Sequence, residues 1–275
     1  MQQSREKNSR VLRLLLCLSL IGGIGCAIGP VRRPTPEQQL AARQAADARR
    51  RQIIETLERK ATAGDTLAVT QLGIDYAGGD RYLGVVQDVP RGMHLLEQAA
   101  AQRYAPAEYI LGWSYLSGEI PVGAIQTPLK SIPHQPAQGI ELLKQSASHA
   151  CNTFPIEPFT NTANLISNLY RAGKFVDADF KQADLWRARS IVHCKVLSRL
   201  FVVNVILNPK SMTMQSKIEA MTLLLLMPPS DTASRLQSTL PPEDLQTAIH
   251  NAATLRQEVA DSEQQYPAPP YPGKP

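Results

Sequence analysis

Ala68-Val69-Thr70-Gln71-Leu72-Gly73-Ile74-Asp75-Tyr76-Ala77-Gly78-Gly79 decides the fold, because its pattern returns 39 positions later as Ala107-Glu108-Tyr109-Ile110-Leu111-Gly112-Trp113-Ser114-Tyr115-Leu116-Ser117-Gly118. Ala, Leu, Gly, Tyr and the closing Gly coincide at one offset. Ala, Leu and Tyr at i, i+4 and i+8 fall along one stripe of an α-helix, and a closing Gly suits a left-handed helix C-terminus. The Gly beside the Leu lets a neighbouring helix come close. A period between 20 and 50 residues marks stacked helical units that bury their apolar faces only against each other.

Reading outward, each stretch is followed by a second helix. Gly92, Leu95, Leu96 and Ala100 return as Gly139, Leu142, Leu143 and Ala147. The intervening loop of the second unit, Glu119 to Pro136, holds four prolines and belongs to neither helix. A third unit keeps Tyr170 and Gly173, preceded by Leu165, Ile166 and Leu169, after a break at Phe154-Pro155-Ile156-Glu157-Pro158. Upstream, Leu57, Glu58 and Ala61 match Leu96, Glu97 and Ala100, so residues from Ile53 read as the second helix of a half-unit. Thr35-Pro36-Glu37-Gln38 carries a capping box with Pro at the first helical position and starts that helix.

The joint pattern, Ala-x-x-x-Leu-Gly-x-x-Tyr-x-x-Gly followed by Gly173, Val176, Asp179, Ala183 and Trp186, resembles the Sel-1-like repeat, a relative of the tetratricopeptide repeat. The resemblance covers about residues 53 to 194. It implies an all-α, right-handed α/α solenoid used as an adaptor or scaffold for other proteins. The organisation that follows is a signal over 1–25, a tether over 26–34, a half-repeat with three repeats over 35–194, divergent C-terminal helices over 195–260 and a disordered Pro-rich tail over 261–275. Within the divergent part, Val196 to Leu207 and Ser216 to Met227 are apolar runs too short to span a bilayer, and Leu223 to Met227 is expected in the core. The last helix, from Pro241-Pro242-Glu243-Asp244 to about Ala260, suits a solenoid cap.

The N-terminus reads as an export signal: a basic start, an apolar run from Val11 to Ile21, then small residues. Gly23-Ile24-Gly25-Cys26 resembles the bacterial lipobox, with Gly23 where Leu is usual, so Cys26 is the expected lipidation site; ordinary cleavage to a periplasmic chain, or an uncleaved N-terminal anchor, are the alternatives. In that family Ala27 after the Cys implies sorting to the outer membrane, facing the periplasm. The net charge of +5 falls to +2 over residues 26–275, where 25 basic residues meet 23 acidic ones. That balance gives no nucleic-acid footprint.

Export leaves Cys151 and Cys194 in an oxidising compartment, where a disulfide is the simplest outcome. A His/Cys metal site with His149 and His193, or two free thiols, are the alternatives; the spacing fits none of the usual zinc patterns. The repeat register places both cysteines near the same end of neighbouring second helices. Disulfides are frequent in exported members of the family, and this bridge is worth about 3 to 4 kcal/mol if unstrained.

No Walker loop, dinucleotide glycine fingerprint, Gly-x-Ser-x-Gly elbow or His-Glu-x-x-His helix occurs, and His94, His134 and His250 are isolated. Tyr76, Tyr115 and Tyr170 recur with the period and are expected in the core or between helices. Function is therefore expected to be binding without bond chemistry, metal or cofactor: a peptide or protein of the cell envelope held in a groove, with Gln71, Asp75, Trp113 and Ser114 as contact candidates between the motif residues of the first helices. The alternative is a muropeptide- or β-lactam-binding protein or hydrolase, a link carried by a few exported relatives.

Overall fold

Thr35 and Gln38 begin the first helix reciprocally: the Thr35 N–H donates to Gln38 Oε1 at 2.9 Å and the Gln38 N–H to Thr35 Oγ1 at 3.2 Å. The structure, a computed structural model, describes residues 35–80, 82–121, 132–149, 162–194 and 212–267. Among these it holds ten helices: α1 Pro36–Thr62, α2 Thr66–Gly78, α3 Val89–Ala101, α4 Ala105–Ser117, α5 Pro136–Ala147, α6 Thr162–Ala172, α7 Phe180–Cys194, α8 Met214–Leu225, α9 Asp231–Gln237 and α10 Pro242–Gln265. No described helix is long and apolar enough to cross a membrane. The chain divides into two units, Met1–Asp47 and Ala48–Pro275. The described part of the first, residues 35 to 47, is exposed throughout.

In the second unit the helices pack as consecutive pairs, α2 on α3, α4 on α5 and α6 on α7, with α3 against α4 and α5 against α6 joining the pairs. This is the α/α helix-pair stack expected from the repeats. Its tightest crossings are glycine against glycine. A Cβ on Gly92 would lie 2.3 Å from the Ala77 nitrogen and 2.6 Å from the Gly73 oxygen, and one on Gly139 would lie 2.7 Å from the Gly112 oxygen. In the third pair the same register positions are Ser167 and Ala183, both buried. The closing glycines Gly79, Gly118 and Gly173 take φ of 72°, 74° and 62°, the left-handed region that a Cβ disfavours.

One backbone bond recurs whatever the loop length. The N–H groups of Asp88, Gln135 and Asp179, each at the start of a second helix, donate to the carbonyls of Tyr76, Tyr115 and Tyr170 at 2.7, 3.0 and 3.1 Å. The motif tyrosine thus pins the return of the chain in all three units, including the one with the long Pro-containing loop. Its side chain ties consecutive units. The Tyr76 hydroxyl donates to Glu58 at 3.3 Å and the Tyr115 hydroxyl to Glu97 at 2.7 Å, while Lys144, at the register position of Glu97, lies over the Tyr170 ring at 5.6 Å. Tyr115 is buried; Tyr76 and Tyr170 are half-buried.

The divergent C-terminal helices close on the last repeat. α8 packs on α10 and α10 on α7, around Ala188, Ile191, Leu223, Leu226, Ala252 and Val259. Of the run Leu223 to Met227, expected in the core, Leu223, Leu224 and Leu226 are buried and Leu225 and Met227 half-buried. The expected tail over 261–275 is corrected at its start: α10 continues to Gln265 and Tyr266 is packed. Arg189, itself buried, donates to the Ser262 and Tyr266 carbonyls at 3.2 and 2.8 Å, supplying a cation and donors to the end of that helix. The Tyr266 ring lies 5.7 Å from Trp186, and its hydroxyl donates to Glu141 at 3.1 Å. Cys26, Cys151, the run Val196 to Leu207 and the tail from Ala268 lie outside the described residues, as does the side chain of Cys194.

Candidate functional site

A first helix between neighbouring helices has few free sides. On α4 the unburied residues are Tyr109, Trp113 and Ser117, spaced four apart on one face. Aligning Tyr170 with Tyr115 sets Asn164 and Asn168 of α6 at the positions of Tyr109 and Trp113; Asn164 is half-buried and Asn168 exposed. Trp113 meets Phe175, from the turn after α6, edge-to-face at 5.9 Å. Tyr109, Trp113, Leu165 and Phe175 pack partly buried against one apolar cluster, so the ridge they form is anchored from beneath. An anchored aromatic ridge, with the exposed amide of Asn168 at the register position of Trp113, supplies apolar contact area and a hydrogen-bonding group for a peptide at small entropic cost. It holds no nucleophile–base pair.

Of the four contact candidates, Trp113 lies in this ridge. Gln71 is half-buried on α2, and its amide donates to Asp75 Oδ1 at 2.8 Å. Burial corrects the other two. Ser114 is fully buried, its hydroxyl donating to the Ile110 carbonyl at 2.7 Å, and Asp75 is 4% exposed, so neither offers a partner a surface. Desolvation by burial raises Asp75 from the ordinary 3.8 to about 6; the Gln71 amide opposes the shift and the Asp80 charge adds to it. Tyr109, Asn164, Asn168 and Phe175 were missed. The four-residue spacing of Tyr109, Trp113 and Ser117 was the available signal for the first, and the others need the third unit's register.

Two further clusters of titratable groups are structural. Glu108 is fully buried in the first turn of α4, with Arg103 Nε at 2.8 Å and His149 Nε2 at 3.2 Å from its oxygens. Arg103 adopts φ 58° at the register position of Gly64, whose φ is 88°. The ion pair to a buried carboxylate holds a side chain where glycine is otherwise preferred. An open cleft of about 780 Å³ beside α1 is lined by Arg51, Tyr76, Asp88 and Arg91 among others. Within it Asp88 caps α3 at the Arg91 N–H, and the Arg91 guanidinium stacks on Tyr76 at 3.8 Å. Among the described residues no group of three or more His, Cys, Asp or Glu side chains is placed to hold a metal ion.

No family model matches the chain, and no curated protein matches it. Among solved structures it is similar to a Sel1 repeat protein from Oxalobacter formigenes, with 14% identity, 86% of this chain and 91% of that chain covered, and a TM-score of 0.44. It is also similar to c5321, a protective antigen present in uropathogenic Escherichia coli strains displaying an SLR fold, with 17% identity, 81% and 60% covered, and a TM-score of 0.21. Both superpositions are loose, and the solenoid assignment rests on the helix pairs and their glycine crossings described above.

Proposed function

We infer that the protein is a non-enzymatic interaction scaffold that holds a peptide or protein partner of the bacterial cell envelope on the half-buried aromatic ridge of its first helices. The observation that supports this most is the ridge itself: Tyr109, Trp113 and Phe175 packed against one apolar cluster, with exposed Asn168 at the register position of Trp113 in the next unit. Uncharged aromatic and amide side chains recognise surface and backbone and leave bonds intact. The envelope address rests on the export signal, and the anchor on the lipobox-like Cys26, from which the solenoid faces the periplasm of the outer membrane. The repeated residues are consumed by the stack, so selectivity lies in the ridge positions that differ between units.

Trp113 makes the reading testable. The chain has two tryptophans, and Trp186 is 1% exposed whereas Trp113 is half-buried in the ridge. Crosslinking in the native envelope followed by mass spectrometry identifies the partner. Titrating it into a Trp186→Phe protein shifts Trp113 emission, and Trp113→Ala weakens binding by roughly tenfold or more, the loss of about 1.4 kcal/mol or more at a contact centre. Absence of a stoichiometric partner, together with hydrolysis of wall peptides by the purified chain, defeats the scaffold reading.

A further inference from the structure

Tyr266 and the ridge residues Tyr109, Trp113 and Phe175 pack against one apolar cluster, built on Leu116, Ile140, Leu143 and Trp186. The path between them is short. The Lys144 ammonium lies 5.8 Å from the Tyr266 ring and 5.6 Å from the Tyr170 ring. Phe175 stands in the loop that the Asp179 N–H closes on the Tyr170 carbonyl at 3.1 Å, and its ring meets Trp113 at 5.9 Å. Where α10 ends, the chain thus leaves from the cluster that carries the ridge, and Pro267 is exposed.

The sequence after it is Ala268-Pro269-Pro270-Tyr271-Pro272-Gly273-Lys274-Pro275. Four of these eight residues are prolines, a composition that favours polyproline II. At a rise of about 3.1 Å per residue, eight residues reach about 25 Å, several side-chain widths. Pro269 and Pro272 stand about 9 Å apart in that form, enough to seat a proline on either side of Trp113. Aromatic-lined grooves take such segments because the conformation is ordered beforehand and little entropy is lost on contact. Charge points the same way. The segment is uncharged up to Lys274, as are the ridge side chains, whereas the open clefts beside α1 and between α7, α8 and α10 are lined by ions such as Arg51, Glu55, Lys181 and Glu258. An uncharged segment strips water from such groups without replacing it.

We propose that residues 268–275 dock in polyproline II form along Tyr109, Trp113 and Phe175, and that the partner of the ridge is accordingly a proline-rich segment that displaces them. This rests on the ridge being a binding surface. Tethering holds the segment at a roughly millimolar effective concentration, so a weak contact suffices to cover the ridge and a partner must bind more tightly to replace it.

Acrylamide quenching of tryptophan emission reads the contact in the full chain, because Trp186 is 1% exposed and Trp113 is the accessible one of the two tryptophans. Pro269→Ser, Pro270→Ser and Pro272→Ser together keep the length and remove the polyproline bias. The quenching constant of Trp113 then rises about twofold or more, and ending the chain at Pro267 raises it equally. Melting curves that match the parent show that both variants remain folded. At about 5 mM, a synthetic peptide of residues 268–275 restores protection to the shortened chain, and the peptide carrying the same three substitutions does not. Equal quenching in parent and variants, or peptides that protect equally or not at all, overturns the proposal. An envelope partner lost with Trp113→Ala despite equal quenching leaves the ridge reading standing without the tail; a protected Trp113 with no envelope partner does the reverse.

Discussion

Replacing Gly92 by Ala tests the stack at its closest approach. A Cβ at that position sits 2.3 Å from the Ala77 nitrogen, 2.6 Å from the Ala77 Cβ and 2.6 Å from the Gly73 carbonyl oxygen. Two of these are backbone atoms of α2, so relief requires that α2 and α3 separate; no side-chain rotamer can provide it. Overpacking of this kind costs about 1 to 3 kcal/mol, and the clash with backbone places it at the upper end. Gly to Ala in a helix gains about 1 kcal/mol of intrinsic propensity, leaving a net loss of about 2 kcal/mol. Gly78, at the end of α2, has nothing within 4 Å of its would-be Cβ and lacks a positive φ, so the same substitution there leaves stability unchanged or raises it by up to about 1 kcal/mol. Urea unfolding followed by circular dichroism compares the midpoints, which are safer than extrapolated energies for a repeat stack whose cooperativity can break down. A Gly92→Ala protein as stable as the parent refutes the glycine-on-glycine crossing.

Asp75→Asn reports through pH. Because burial raises the folded-state pKa from 3.8 to about 6, the folded protein holds that proton more tightly than the unfolded chain, and the stability it confers is full below about pH 4 and lost as pH rises through about 6. The variant is therefore more stable than the parent at neutral pH by up to about 3 kcal/mol and gains nothing near pH 4; a difference independent of pH contradicts the buried carboxyl. Arg189→Met removes the donors at the end of α10. Amide exchange over residues 259–266 should accelerate at least tenfold while α2 to α5 keep their protection, and unchanged exchange there refutes the clamp.

Much of the stack was legible because its devices are local and periodic. Gly73 and Gly112 advertise close crossing, Gly79, Gly118 and Gly173 advertise left-handed turns, and Thr35 with Gln38 spells a capping box. The interaction surface was harder to read. Trp113 and Ser114 are sequence neighbours, but 100° of rotation separates them, and a first helix flanked on several sides exposes one of the pair and buries the other. The offset aligned Glu58 with Glu97, yet their pairing with Tyr76 and Tyr115, 18 residues away, belongs to the packing of one unit on the next. Tyr266 carries no local sign of its role, because what extends α10 to Gln265 is Arg189, 77 residues away. Its Pro-rich sequel made the whole segment look like a tail.

The most direct test of the ridge is a photo-crosslinking amino acid placed at Asn168 in cells, with the same residue at exposed Gln98 on α3 as the comparison. A ridge that holds an envelope partner gives one discrete adduct from position 168 that is absent from position 98 and disappears when Trp113 is Ala. Equal labelling from both positions, or none from 168 in intact envelopes, contradicts it.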